Sequence, residues 1–561
     1  MRSYLPAVVD ASRAAEFPVA GTSAGTVAIR AAGLRVRGGT VTVGDAVPLP
    51  GELAVFCRPV VTAPAAVRRD GTVLADGWLP DLVRLGELER HLGDGVIEAA
   101  VDEAIAAGRL RPRQRRRIMS CPLVIRLMLA MTLMPDASYC EALRRVAGLL
   151  ADIPFTREWH VPTEKVITDW LLVPAGVMEG IFWHAAGPLI SDGEPSAVLL
   201  AGMMVLAADG MLVNLADTAA NRAMFGSAGT ADDSAPFPQL RVVALTARAG
   251  RAMLGAILGG SGAGEQTLLK RLVRRRPDLF AGRVTCFDRN FPGHELITAI
   301  LDAGGHVIAR VKEGISLGFE DGEDRGWLPD GSRMSWLNAP SGKREDRLPV
   351  RVTEHNAILP SGDGTEEASQ TCTVITPLLN HQAAPAGAVR ETYLTRWSAS
   401  ETTFGEDKTT ITGAGNRTSG PVLRSGSPRL VIQEAWAWLT APQLVRASAA
   451  AALRSQAARA RALRRKDAAP VTADEESFTA VVRHAVRSMT STQVTASSSL
   501  DALTAAADAA ARAALHTLNL PGRERRSRRA QKARPKFPHA TAAKTTVTGK
   551  PQVTVFAPGF S

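Results

Sequence analysis

The sequence predicts a multidomain α/β protein: a mixed-sheet core, interrupted by a β-rich insertion and flanked by helical regions. Three observations predict this. Apolar runs of strand length alternate with helix-period segments from about 197 to 312. The character then changes to Trp, Gly, Pro and Ser with strand-like runs from about 315 to 385. Helical periodicity dominates on both sides, in a chain of 561 residues that is long enough for several domains.

The elements follow in chain order. Residues 1–75 show weak periodicity, with short strand-like pieces such as Thr40–Val43. We expect a poorly defined extension, either disordered or upstream of a working start near Val73. Residues 76–195 read as a helical DNA-binding domain. Leu82, Val83, Leu85, Leu88 and Leu92 form an apolar stripe, and helices are expected over Val96–Ala107, Val124–Met134, Tyr139–Leu150 and Glu164–Leu172. Between the second and third elements lie Arg113, Arg115, Arg116 and Arg117, a cluster suited to phosphate contacts or to a solvated face.

Residues 196–314 form the first part of the α/β core. Strands are expected at Val198–Ala208, Asn214–Thr218, Leu240–Thr246, Arg251–Leu258, Arg283–Phe287 and His306–Val311. Helices are expected at Glu265–Arg275 and Gly293–Ala303. Gly259–Gly264 is glycine-rich, but no Gly-Lys-Ser/Thr follows in register, so it reads as a loop and not as a phosphate cradle. The β-rich insertion spans 315–385, with strands at Leu348–Leu359 and Thr371–Leu379; so long a gap inside a compact core must be a subdomain. The core resumes over 386–445, a helical region covers 446–520, and 521–561 is a basic tail suited to nonspecific DNA contact.

Composition narrows the class of function. A net charge of +11 suggests a polyanionic partner, most simply nucleic acid. The five cysteines are scattered without a Cys-x-x-Cys, which argues against a disulfide framework or a zinc ribbon and fits a reducing cytoplasm. No apolar run is long enough to span a bilayer, and the N-terminus lacks a signal-peptide layout, so no membrane partner is expected.

The chemistry gathers around Tyr393–Lys408. Taken as a helix, Tyr393, Trp397, Glu401, Phe404 and Lys408 share about 80° of arc, with Arg396 on the flank. One carboxylate thus stands among aromatics and cations; alone, the pattern also fits an amphipathic helix with core aromatics and solvated charges. Two other carboxylates close apolar runs, Asp209 after Val205–Ala208 and Asp288 after Val284–Phe287. Acids at strand ends, joined by one from a later helix, can converge on two divalent cations for displacement at phosphorus. Oxygen ligands favour Mg²⁺ or Mn²⁺.

These residues resemble the DDE transposases of bacterial insertion sequences, in the subgroup with a Tyr-Arg-Glu-Lys signature. The match rests on Ala208-Asp209-Gly210 with Asp217–Arg222, on Phe287–Phe291 with Arg310-Val311-Lys312, and on Tyr393, Arg396, Trp397, Glu401 and Lys408. It covers roughly 78–445. The resemblance implies a ribonuclease-H-like core in which Asp209, Asp288 and Glu401 are catalytic and hold two Mg²⁺ or Mn²⁺ ions. It implies that Tyr393, Arg396 and Lys408 contact DNA phosphates and that Trp397 stacks on a displaced base or packs in the core. It also implies binding of element ends and target DNA, hydrolytic cleavage to a 3′-hydroxyl, strand transfer, and a homodimer on DNA, in a cytoplasmic protein associated with the nucleoid. One departure is plain. Four residues, Trp397–Ser400, separate Arg396 from Glu401 where the family has three, so either a local bulge absorbs one or Arg396 is not the signature arginine. Glu406 and Asp407 are the fallback acids. The alternatives are a nuclease of the same core without strand transfer, a catalytically decayed DNA-binding protein, and a basic protein unrelated to transposition.

Overall fold

The structure is a computed structural model. It describes the short strands within 16–74 and residues 85–110, 120–147, 161–186, 199–227, 237–247, 252–312, 317–318, 326–360, 367–407, 423–462 and 477–490, with breaks at 86–87, 93–94 and 172. Side chains at 89–90, 169–170, 355–360, 367–371, 395, 397–402, 451–462 and 488–490, and those of the 16–74 strands, lie outside the description. The chain divides into two compact units.

The first unit is drawn from Met1–Leu189, Glu406–Arg417 and Ile432–Asn519. Its N-terminal part holds β1 (Glu16–Pro18), β2 (Leu34–Arg37) and β3 (Thr40–Val43) in the order β1-β3-β2, and β4 (Ala66–Val67) paired with β5 (Val73–Leu74). The described helices of this unit up to Ala186 are α1 (Glu89–Leu92), α2 (Val96–Ala106), α3 (Cys121–Leu133), α4 (Tyr139–Ala147), α5 (Glu164–Trp170) and α6 (Ala175–Ala186).

Helix α3 is the core of this unit, which explains its apolar sequence. Ser120 caps it by accepting the Leu123 N–H at 3.4 Å, and Pro122 sits in its first turn, where no N–H is needed. The one charge on it, Arg126, is buried and donates to Glu98 of α2 at 2.8 Å. Helix α4 buries Cys140, Leu143 and Val146, while Arg144 and Arg145 pair with Glu141 at the surface. Arg113, Arg115, Arg116 and Arg117 lie outside the described residues.

The second unit is drawn from Ile190–Gly405, Thr418–Val431 and Leu520–Ser561. It holds a nine-stranded mixed sheet. The strands are β6 (Leu199–Leu200), β7 (Met203–Asn214), β8 (Gln239–Ala247), β9 (Met253–Gly260), β10 (Arg283–Phe287), β11 (His306–Arg310), β12 (Arg333–Leu337), β13 (Leu348–Pro360) and β14 (Glu367–Thr376). The spatial order is β12-β13-β14-β11-β10-β7-β8-β9, with β6 paired to β7. β7, β8 and β9 run antiparallel in succession; β10 is parallel to β7, and β11 is parallel to β10. The expected β-rich insertion supplies β12–β14, which extend the same sheet from β11 in antiparallel succession.

The helices of this unit are α7 (Ala219–Phe225), α8 (Glu265–Arg275), α9 (His294–Asp302) and most of α10 (Ala386–Glu406). Leu268, Leu269, Leu272 and Val273 fill the buried stripe of α8, at the i, i+3, i+4 spacing that predicts it. Helix α11 (Pro428–Ala462) runs unbroken past the expected boundary at 445, and α12 (Phe478–Thr490) follows; both belong to the first unit from Ile432 onward.

Two expected strands change, and Gly259 and Gly260, read as loop, end β9. Val198–Ala208 is not one strand. Ala201 and Gly202 have positive φ, 50° and 77°, and form a two-residue turn between β6 and β7. β7 does not end at Ala208 but continues to Asn214, with Asp209 opposite Ala244 of β8. Asn214–Thr218 is therefore the end of β7 and the lead into α7, whose Thr218 cap accepts the Asn221 N–H.

Candidate active site

Two parallel strands bring the first pair of acids together. Ala208 of β7 is in register with Phe287 of β10. The next residues are Asp209, inside β7, and Asp288, one position past the end of β10. Adjacent strands lie ~4.8 Å apart, so the two acids rise from neighbouring backbones at one level of the sheet. After Asp288 the chain turns: the Phe291 N–H donates to the Asp288 carbonyl at 3.0 Å, and Phe291 packs on Phe287 at 5.9 Å. The Asp288 carboxylate accepts from the Arg289 N–H at 2.6 Å. Gln266 of α8 braces this turn by donating to the Asn290 carbonyl at 3.0 Å.

Helix α10 supplies the next groups. Val389 and Tyr393 pack with Val205, Val284, Cys286, Ile308 and Val374, so the helix is seated on the face of the central strands. Arg396, one turn beyond Tyr393, is only 6% exposed and donates to Asp209 Oδ2 at 3.3 Å. Asp209 Oδ1 accepts the N–H of Gly210 at 2.8 Å. Tyr393 is pushed up to about 12 by burial first and by Asp288, against Arg396 and Arg310, so it stays a phenol at neutral pH. Cys286 beneath them is fully buried, and burial pushes its thiol up to about 12 against the pull of Arg396.

A third described carboxylate borders the pair. Glu265 opens α8 and accepts from Arg241 of β8 at 2.7 Å. Its carboxyl is raised above the usual range by burial, with Asp209 and Asp288 adding to the rise and Arg241 opposing it. A Cβ built on Gly210 would lie 2.5 Å from Glu265 Oε1. Glycine at 210 thus leaves the space this carboxylate fills. Sequence reading passed over Glu265 and Arg241, because an acid in the first turn of a helix is common. The signal for them was Gly210, a bare position inside a strand.

Of the residues singled out in the sequence, Asp209, Asp288, Tyr393 and Arg396 come together here. Trp397 and Glu401 lie farther along α10, but their side chains are outside the description, and Lys408 lies wholly outside the described residues. The helix is continuous over Ala386–Glu406, so no bulge absorbs the additional residue between Arg396 and Glu401. This removes the bulge, one of the two readings that the sequence left open. The fallback acids Glu406 and Asp407 belong to the other unit, where Asp407 is buried against Arg446 at 2.8 Å.

Among the described residues, no group of three or more His, Cys, Asp or Glu is placed to hold a metal ion. The carboxylates of Asp209 and Asp288 are hard oxygen donors, the kind that suit Mg²⁺ or Mn²⁺. No described helix is long and apolar enough to cross a membrane. The described cysteines, Cys121, Cys140, Cys286 and Cys372, are buried and unbridged.

No protein-family model matches the chain. Over 266 residues it is 26% identical to the transposase InsG for insertion sequence element IS4 of Escherichia coli (strain K12). The match covers 47% of this chain and 54% of the relative, so the chain spans about half the length of the curated relative it matches. A solved structure, the piggyBac transposase synaptic complex with hairpin DNA, covers 72% of this chain and 79% of its own at 9% identity, with a TM-score of 0.35.

Proposed function

We propose that the protein is a DDE transposase of the Tyr-Arg-Glu-Lys subgroup, acting on the ends of an insertion sequence. The observation that carries this reading is the β7–β10 register, which sets Asp209 beside Asp288 next to the helix bearing Tyr393, Arg396 and Glu401. The sheet supports it. Three antiparallel strands, β9-β8-β7, continue into β10 and β11, both running with β7. We read this order as a ribonuclease-H-like core.

In this account Asp209, Asp288 and Glu401 hold two Mg²⁺ or Mn²⁺ ions. The ions would supply Lewis-acid activation of the attacking and leaving oxygens. Asp209 is held ready by two bonds, from Arg396 and from its own neighbour's N–H. Tyr393, kept protonated by burial, keeps an O–H to donate, which suits a phosphate oxygen. Lys408 and the cluster Arg113, Arg115, Arg116 and Arg117 neutralise DNA phosphates, and Trp397 stacks on a displaced base.

Cleavage adds the oxygen of water to phosphorus and breaks a P–O bond, leaving a 3′-hydroxyl and a 5′-phosphate. Joining forms one phosphodiester as another breaks, so it needs no energy source. Two ends must be processed in one complex, hence a dimer on DNA.

The test uses purified full-length protein, Mg²⁺ or Mn²⁺, and a labelled duplex taken from the DNA flanking its gene. Wild type should cut at the element boundary, and Asp288→Ala and Glu401→Ala should each lose more than about a thousandfold in rate. A precut end with target DNA should then be joined. Specific binding without cleavage would reduce the protein to a DNA binder, and cleavage without joining to a nuclease. Cleavage surviving Glu401→Ala would assign the third acid elsewhere.

A further inference from the structure

A polar clamp stands at the start of α10. Its centre is Asp330, in the turn before β12. Asp330 Oδ1 accepts from the Ser332 N–H at 3.1 Å and from the Ser332 hydroxyl at 2.5 Å. Asp330 Oδ2 accepts from Arg351 Nη1 at 3.0 Å and from the backbone N–H of Ala386, the first residue of α10, at 2.8 Å. Arg351 lies on β13, is 0% exposed, and donates through Nη2 to the carbonyl of Ala384. The last turn before the helix and the first N–H within it are therefore both fixed by one ion pair from the β-rich insertion.

The four leading N–H groups of a helix lack partners within it, and a carboxylate there is favoured by charge as well as by hydrogen bonding. Asp330 acts as this cap from 56 residues upstream. Its bonds from Ser332, Ala386 and Arg351 outweigh its partial burial, so its carboxyl lies below the usual range. The apolar contacts of Val389 and Tyr393 hold α10 on the sheet. Such contacts are not directional and resist separation more than sliding or rotation. The clamp supplies a directional restraint at the start of the helix, as the Arg396–Asp209 bond does ten residues on. Arg396 lies about 15 Å along the axis from Ala386, so a tilt of about 4° at the cap moves it by about 1 Å.

We infer that Asp330, locked by Arg351, is a positioning residue that sets the placement of α10 and thereby of Tyr393 and Arg396 beside Asp209 and Asp288. The β-rich insertion is then part of the catalytic scaffold. This inference rests on the transposase reading for its consequence in catalysis, but its structural half stands apart from it.

The test compares wild type, Asp330→Asn and Asp330→Ala in the full chain. Hydrogen exchange is followed by mass spectrometry, and single-turnover cleavage is followed on the flanking-DNA duplex. In Asp330→Ala, exchange over 386–396 should rise at least about tenfold while β7 and β10 keep wild-type protection. Cleavage should fall about a hundredfold, the scale expected for a 1 Å misplacement, with duplex affinity within about twofold of wild type. Asp330→Asn keeps one acceptor and should fall between the two. It also serves if leaving Arg351 unpaired prevents Asp330→Ala from folding.

Unchanged exchange in α10 would overturn the inference. So would exchange rising equally across the sheet, or faster exchange in α10 with wild-type cleavage. If wild type cuts no duplex, the transposase reading fails, and the exchange pattern still decides what Asp330 does to α10.

Discussion

Arg396 of α10 reaches Asp209 of β7 across 187 positions of sequence, its guanidinium 3.3 Å from the carboxylate. The other oxygen of Asp209 is taken by the Gly210 N–H. One strand residue is thus oriented from both sides, by its own backbone and by the helix that carries the rest of the candidate site.

Removing Arg396 should destabilise the sheet unit. The pair is largely desolvated, with Arg396 at 6% and Asp209 at 18% exposure. Breaking such a pair from one side leaves a buried charge uncompensated and costs about 3 kcal/mol; the partial exposure of Asp209 brings the expectation down to about 2 kcal/mol for Arg396→Met. Arg396→Lys should recover part of this, since it restores charge but not the planar fork. Urea unfolding midpoints measure both; no change in Arg396→Met would mean the pair contributes nothing to stability.

Gly210 and Glu265 should be energetically coupled. A methyl at 210 would displace Glu265 and with it the 2.7 Å bond from Arg241. Gly210→Ala is therefore expected to cost about 1–3 kcal/mol in the wild-type background, as overpacking does. In a Glu265→Ala background those contacts are gone, and the methyl should cost much less. A double-mutant cycle reads the difference, and strict additivity would show that the two do not compete for that volume.

Asp407 should give the helical unit a characteristic pH dependence. It is fully buried beside Arg446. Burial is the larger influence and pushes its carboxyl up to about 6 despite Arg446. An acid with a raised folded pKa binds its proton more tightly when folded than when unfolded. Its contribution therefore favours folding at low pH, and is lost as pH rises from the ordinary carboxylate value through about 6. Thermal melts at pH 4 and pH 7 should show wild type losing more stability across that window than Asp407→Asn. An equal loss in both would contradict the shift.

Much of this was legible in the sequence. Glu265–Arg275 and Arg283–Phe287 lie where the periodicity predicts them, because each carries its own start signal and apolar spacing. Asp209 was harder. Asp-Gly is a turn signal, and it reads as the end of a strand. In the fold it is the middle of β7, and the glycine is there because Glu265 occupies the side-chain space above it. Such a demand comes from a segment over fifty residues away and leaves no local periodicity. Arg396 read as a cation on the flank of a helix; its burial on Asp209 depends on where α10 lands on the sheet. The clamp of Asp330 and Arg351 left no trace either, since a turn aspartate and a strand arginine look ordinary until the fold sets them at the head of α10.

We propose that Asp209 and Asp288, with Glu401, share one cation site. The most direct measurement replaces Mg²⁺ with Fe²⁺ in the full-length protein, adds ascorbate and peroxide, and maps where hydroxyl radicals cut the polypeptide. Cuts are expected only in the neighbourhoods of Asp209, Asp288 and Glu401, suppressed by excess Mg²⁺ and lost in Asp288→Ala. Cuts near only one of these positions, or cuts that persist in Asp288→Ala, would contradict it.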